Sequence, residues 1–313
     1  MNDAAALPLR AGHLPVEDLI DLYMSHYAGR DTTRVQRLTW WKERLRGVPF
    51  AEVTDDHIHA ALEALAGDTA RRYAGVDADG QPIFRARKEP RSPATINRYN
   101  AALAAVFTWA IRRRVAPKAW DHPCRRVERR PENNEQTRFL GDEERVRLLE
   151  ACKASRWPRL YLLVLLALTT GARKGELMGL RWADVDLDGK VMHVARTKNG
   201  DPKVLPLVPA VIEQLQRLKG ADSALLFASK TRPQQAYSFE QRWTEALRVA
   251  RVRAFRFHDL RHSCASLLAR QGATLLEIGD LLGHRTISMT KRYSHLASSH
   301  RSALVNRVLG DLR

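Results

Sequence analysis

The run from Leu160 to Leu168 is apolar on every side, with Thr169, Thr170 and Gly171 closing it. A helix of that kind exposes no polar face, so other elements must wrap it completely. The run is about half of the roughly 20 residues a membrane span requires, so it reads as the central helix of a globular core. The rest of the second half supplies the wrapping. Helical periodicity recurs over Asp142–Cys152, Pro209–Leu218, Phe239–Ala250, His258–Gln271, Leu275–Leu282 and Ser299–Leu309. Lys190–Arg196 and Lys203–Leu207 read as two strands joined at Asn199-Gly200, a strong hairpin signal.

The first half has a different pattern. Pro15–Tyr27, Arg34–Leu45 and Asp55–Leu65 each place apolar residues on one helical face, and Thr54 is suited to cap the third. Ser92 and Pro93 open a longer helix whose apolar face is Ile96, Leu103, Val106, Phe107 and Ala110. Between them lies the polar stretch 67–92, with a turn signal at 77–80 and a short hairpin on its flanks, including Ile83 and Phe84. The pattern divides the chain into a tail (1–14), a helical domain (15–126), a linker (127–137) and a second domain (138–313).

Charge narrows the partner. Of 313 residues, 52 are Lys or Arg and 35 are Asp or Glu, a net +17. Residues 1–92 carry a net −1, residues 93–136 a net +5 and residues 137–313 a net +13. An excess of this size on folded domains calls for a polyanion, nucleic acid before an anionic membrane surface. The N-terminus has no secretory pattern. The three cysteines, Cys124, Cys152 and Cys264, are too scattered for a disulfide framework or a thiolate zinc site and suit a reducing cytoplasm.

Six residues of the second domain form an ordered set: Arg173, Lys198, His258, Arg261, His284 and Tyr293. Singly, each has an ordinary explanation, as a surface cation, a wet hairpin tip or a packed ring. His258 and His262, at i and i+4, also suit a metal pair. Asp259 in place of a glutamate and the cation Arg261 beside them argue against it.

Together, the strings 170–177 (Thr-Gly-Ala-Arg-Lys-Gly-Glu-Leu), 258–262 (His-Asp-Leu-Arg-His) and 281–284 (Leu-Leu-Gly-His), with Tyr293 nine residues on, resemble the tyrosine recombinase (phage integrase) family. The resemblance covers the whole second domain and, more loosely, Pro93–Arg113. It implies a mainly α fold: an N-terminal helical bundle of the SAM-like, core-site-binding kind, then a mostly helical α+β catalytic domain with a small β-sheet. The family's separate arm-site-binding domain is not expected here. The implied chemistry needs no cofactor and no metal. Tyr293 attacks a DNA phosphate and forms a 3′-phosphotyrosyl bond, and its phenolate can leave again in the return step. Arg173 and Arg261 clamp the phosphate oxygens, since a planar guanidinium matches two of them. His284 adds a hydrogen bond. Lys198 protonates the departing oxygen, with Lys203 its nearest competitor, and His258 moves a proton to or from the tyrosine. Glu176 is expected to fix a basic side chain. Asn97, Arg98, Arg112 and Arg113 are candidate DNA contacts.

The resemblance also implies two domains closing round double-stranded DNA, a tetramer on two DNA sites, a monomer free in solution and a C-terminal helix that docks on a neighbouring protomer. Two rival readings share the charge. A type IB topoisomerase would use the same tyrosine to relax DNA without a specific site. A non-cutting DNA-binding protein would not need the tyrosine.

Overall fold

The computed structural model describes residues 10–29, 31–76, 82–132, 138–195, 201–218, 220–221, 224–297, 305–306 and 308–310, with the side chains of 70–89 set aside. The chain divides into two compact units, Met1–Asn134 and Glu135–Arg313.

The first unit contains α1 (Val16–Ser25), α2 (Arg34–Arg44), α3 (Asp55–Gly67), strands β1 (Thr69–Val76) and β2 (Pro82–Pro90), and α4 (Pro93–Arg112). The caps follow the sequence. The Thr54 hydroxyl accepts from the His57 N–H and the Ser92 hydroxyl from the Thr95 N–H, satisfying donors that a helix start leaves free. Trp41, Phe50, Phe107 and Leu103 are fully buried in one apolar core, and Trp41 Nε1 donates to the Tyr99 carbonyl at 2.9 Å. β1 and β2 form an antiparallel hairpin, longer than the short one expected; its turn signal lies outside the described residues.

Both ends of this unit differ from the sequence reading. Within the expected tail, Ala11 is buried and the Arg10 N–H donates to the Arg114 carbonyl at 3.1 Å. Residues 127–132, expected as linker, are tied down by Asn97, and Arg130 pairs with Glu63 at 2.6 Å.

The second unit contains α5 (Asp142–Lys153), α6 (Arg159–Thr170), α7 (Lys174–Met178), strands β3 (Val185–Asp186), β4 (Val191–Val194) and β5 (Lys203–Pro206), then α8 (Pro209–Leu218), α9 (Glu240–Val249), α10 (Asp259–Arg270) and α11 (Leu275–Leu282). The apolar run is α6, enclosed by α5, α7, α8 and α10. The strands form an antiparallel sheet in the order β3-β4-β5, with Met192 opposite Leu205 and Val194 opposite Lys203. β3 was not foreseen, and Asn199-Gly200 lies outside the described residues.

Gly171 ends α6 in the left-handed conformation, at φ +60°. A Cβ there would stand 2.2 Å from Leu282 Cδ2 and 3.5 Å from Cys264 Sγ, so glycine is required for both backbone and space. Gly171→Ala should lose about 2–4 kcal/mol in denaturant unfolding, from left-handed strain and overpacking against α11. A midpoint unchanged from wild type would contradict that packing.

Candidate active site

The site grows from the two ends of this frame. Where α6 stops at Gly171, the chain turns and starts α7 with Arg173 as its cap residue. The Glu176 carboxylate reaches back, accepting from the Arg173 backbone N–H at 2.9 Å and from its guanidinium at 2.8 Å. Glu176 is buried while Arg173 stays partly exposed, so the carboxylate aims the arginine without covering it.

The first turn of α10 presents Arg261 to the same point. Arg261 is 4% exposed, and its Nη1 donates to the Gly171 carbonyl at 2.8 Å. Burial first, then Arg173, pulls Arg261 down to about 10, and Glu176 opposes this. It remains charged at neutral pH. Asp259, also buried, accepts from the Arg256 backbone and guanidinium and fixes the start of α10.

The third contribution comes after α11, where Gly283 (φ +67°) turns the chain to His284. His284 Nδ1 lies 2.8 Å from the Thr290 hydroxyl. Burial, then Arg261 and Arg173, pushes His284 down to about 4, so it is neutral near pH 7. A neutral ring that accepts from Thr290 at Nδ1 carries its proton on Nε2. The following 3₁₀ segment, Lys291–Ala297, carries Tyr293. Tyr293 is 2% exposed, and its hydroxyl lies 2.6 Å from His262 Nδ1. Burial raises the phenol, while Arg292 and Arg261 act against the rise.

These residues line one cavity of about 390 Å³: Arg173, His258, Arg261, His262, His284, Met289, Arg292 and Tyr293. Five of the six residues singled out in the sequence therefore meet. Lys198, the sixth, lies outside the described residues. Lys203 lines an adjoining cavity of about 660 Å³, which Arg173 and His284 share. Its Nζ is buried without a hydrogen-bond partner. Burial, with Arg261 and Arg173 adding to it, lowers Lys203 to about 8 against the pull of Glu176. His262 and Arg292 are additions the sequence reading did not place among the catalytic residues. The signal for His262 was its place one turn after His258, weighed there only as half of a metal pair.

Among the described residues, no three His, Cys, Asp or Glu side chains group as a metal site. The pocket is instead rich in cations and donors, which suits an anion with several oxygens.

Of the candidate DNA contacts, Arg98, Arg112 and Arg113 are exposed. Asn97 is not available. It is 8% exposed, its amide donates to the Arg130 carbonyl and to Glu132 at 2.8 Å, and its oxygen accepts from the Arg130 N–H at 3.0 Å. Its amide, buried on the helix face that also carries Asn100, serves an internal tie.

The "Phage integrase family" model matches residues 138–300. The chain is 26% identical over 285 residues to the integrase of Salmonella phage P22, covering 84% of this chain and 71% of that protein. It spans 41–61% of the length of three further relatives. In fold it is similar to the Tn1549 transposon integrase in complex with a circular intermediate DNA (TM-score 0.72, 18% identity, 94% of this chain and 100% of that one). It is also similar to a lambda integrase tetramer bound to a Holliday junction (TM-score 0.65, 18% identity, 92% and 80%). No helix among the described residues is long and apolar enough to cross a membrane.

Glu176→Gln keeps the shape and removes the charge that holds Arg173. It should cost about 3 kcal/mol of stability and slow phosphate chemistry at the site. Unchanged unfolding would show that Arg173 is held by other means.

Proposed function

The chain belongs to the phage integrase family of tyrosine recombinases, enzymes that cleave and rejoin DNA, and from that premise we propose that it exchanges strands between specific DNA sites through a Tyr293–DNA link. The observation that carries this reading is a tyrosine hydroxyl buried in a pocket with three arginines and three histidines.

Tyr293 Oη attacks the scissile phosphorus, forming the 3′-phosphotyrosyl bond as the P–O5′ bond breaks. Rejoining reverses this, with a 5′-hydroxyl attacking and the phenolate leaving. Charge gathers on the non-bridging oxygens in between. Arg173 and Arg261 neutralise it, and His284 donates from Nε2. These donors are already held by Glu176, Gly171 and Thr290, so little reorganisation is needed when charge develops. The departing O5′ takes a proton from Lys198, the residue that family resemblance assigns. Lys203 is a positive charge at the wall of the adjoining cavity at neutral pH, lost as pH rises through about 8. Arg98, Arg112 and Arg113 contribute salt-dependent grip on the DNA backbone. A non-cutting binder would have no use for the tyrosine's position.

The biological outcome is integration, excision or resolution of a DNA element, carried out inside the cell. The protein is a monomer in solution and a tetramer on paired sites. The terminal segment supports the assembly: Val305, Val308 and Leu309 fall at helical spacing and are 54%, 64% and 50% exposed. A second copy of the chain is the apolar surface that would cover them. Val308→Glu with Leu309→Glu should leave binding to one site intact and abolish pairing of two sites in native gels. Normal pairing would contradict the docking.

Tyr293→Phe should abolish the covalent adduct on denaturing gels while binding stays near wild type. Lys198→Ala should slow cleavage about 100-fold or more and recover on a substrate whose 5′-leaving atom is sulfur, which needs no protonation. Lys203→Ala should slow both substrates alike. Sulfur rescue of Lys203→Ala alone would transfer the acid role to Lys203.

A further inference from the structure

The nucleophile's proton must go to some atom, and the structure offers a specific acceptor. The Tyr293 hydroxyl is 2.6 Å from Nδ1 of His262, the closest approach any ionisable side chain makes to it among the described hydrogen bonds. The two rings are 6.0 Å apart, centre to centre. His258, which the sequence reading assigned to proton movement, instead meets the edge of the His262 ring at 5.4 Å and has no hydrogen bond to Tyr293.

The surroundings keep His262 ready to accept. It faces His258, Asp259 and Arg261 of its own helix, Arg292 of the 3₁₀ segment, and Tyr293 itself. Burial first, then His258, Arg292 and Arg261, holds it down to about 4, with Asp259 opposing. The ring is neutral at pH 7. A neutral imidazole N–H is a far weaker acid than a phenol, so the short bond runs from the tyrosine O–H to a bare Nδ1, with the ring proton on Nε2.

Resting on Tyr293 as the nucleophile, we propose that His262 is a catalytic residue whose Nδ1 takes the Tyr293 proton as Oη attacks phosphorus and returns it to the phenolate on rejoining. The Oη–H bond breaks and Nδ1–H forms; Oη–P forms and P–O5′ breaks. The departing O5′ takes its own proton from the lysine. The new imidazolium charge is met by the negative charge that the phosphate gathers beside it. The weaker role consistent with the same contact is a latch that stores Tyr293 in its buried position.

The test uses the full chain on a nicked duplex carrying its own recombination site. His262→Asn keeps a polar atom near Nδ1 but no basic nitrogen; His262→Phe removes both. Cleavage should fall about 100- to 10,000-fold in both variants, with gel-shift affinity unchanged and Asn no better than Phe. A second substrate carries a 3′-(p-nitrophenyl) phosphate in place of the tyrosyl ester and is rejoined by Tyr293→Phe protein. Nitrophenolate leaves without a proton, so adding His262→Asn should change that rate less than about threefold. Cleavage by His262→Asn at the wild-type rate or faster would reduce His262 to a latch and overturn the inference. So would a nitrophenyl rejoining rate that falls as far as cleavage does, since His262 would then shape the pocket. An adduct persisting in Tyr293→Phe would overturn the nucleophile assignment, and this inference with it.

Discussion

Three guanidinium groups, those of Arg173, Arg261 and Arg292, face one pocket, and their mutual repulsion has to be absorbed by the frame that holds them. Arg173 is held by the Glu176 carboxylate and Arg261 by the Gly171 carbonyl. Both anchors lie within a few residues of the end of α6, the helix that α5, α7, α8 and α10 enclose. The buried apolar helix thus fixes where α6 ends, and that ending fixes both arginines. Lys203 adds a further cation with an unpartnered ammonium, and Glu176 is the carboxylate that attracts both it and Arg261. Such an arrangement is short of negative charge until an anion enters. A phosphodiester supplies it, and supplies more as its transition state forms.

The same field sets the state of the histidines. Cations and burial together hold His258, His262 and His284 below the ordinary histidine range, so none adds to the repulsion at neutral pH. Their neutral forms have distinct uses. In the proposed reaction His284, in the tautomer that accepts from Thr290 at Nδ1, presents a donor, and His262, set against Tyr293, presents an acceptor. Tyr293 itself is buried and its phenol raised, so the proposed nucleophile is protonated at rest. Activation then depends on what receives its proton when phosphate arrives.

Much of this was legible in the residues alone, and particular cases show why the rest was not. The run Leu160–Leu168 announced a central helix because no polar face was left to point outward. Ser92-Pro93 and Thr54 marked helix starts through local chemistry that tertiary structure does not alter. Arg173, Arg261, His284 and Tyr293 were singled out because their types and order match a known set, and the fold brings them to one cavity. His262 was passed over because its partner lies 31 residues away, a contact only the fold creates. Asn97 misled for a similar reason: an amide on a helix suits a DNA groove and an internal tie equally well until its surroundings are known. β3 is two residues long, too short for any periodicity to register. The expected linker was read from weak apolar content and the expected tail from its place before the first periodic run, whereas residues 10–14 and 127–132 are held largely through backbone groups and a few polar side chains.

The central claim is that one tyrosine in this cationic pocket carries the DNA during exchange. The most direct measurement is mass-spectrometric mapping of the trapped covalent complex, formed on a nicked duplex carrying the protein's recombination site and digested with protease and nuclease. The account predicts a single modified peptide, with the DNA 3′-phosphate on Tyr293. A phosphate on any other residue, or a 5′-phosphate on Tyr293, would contradict it.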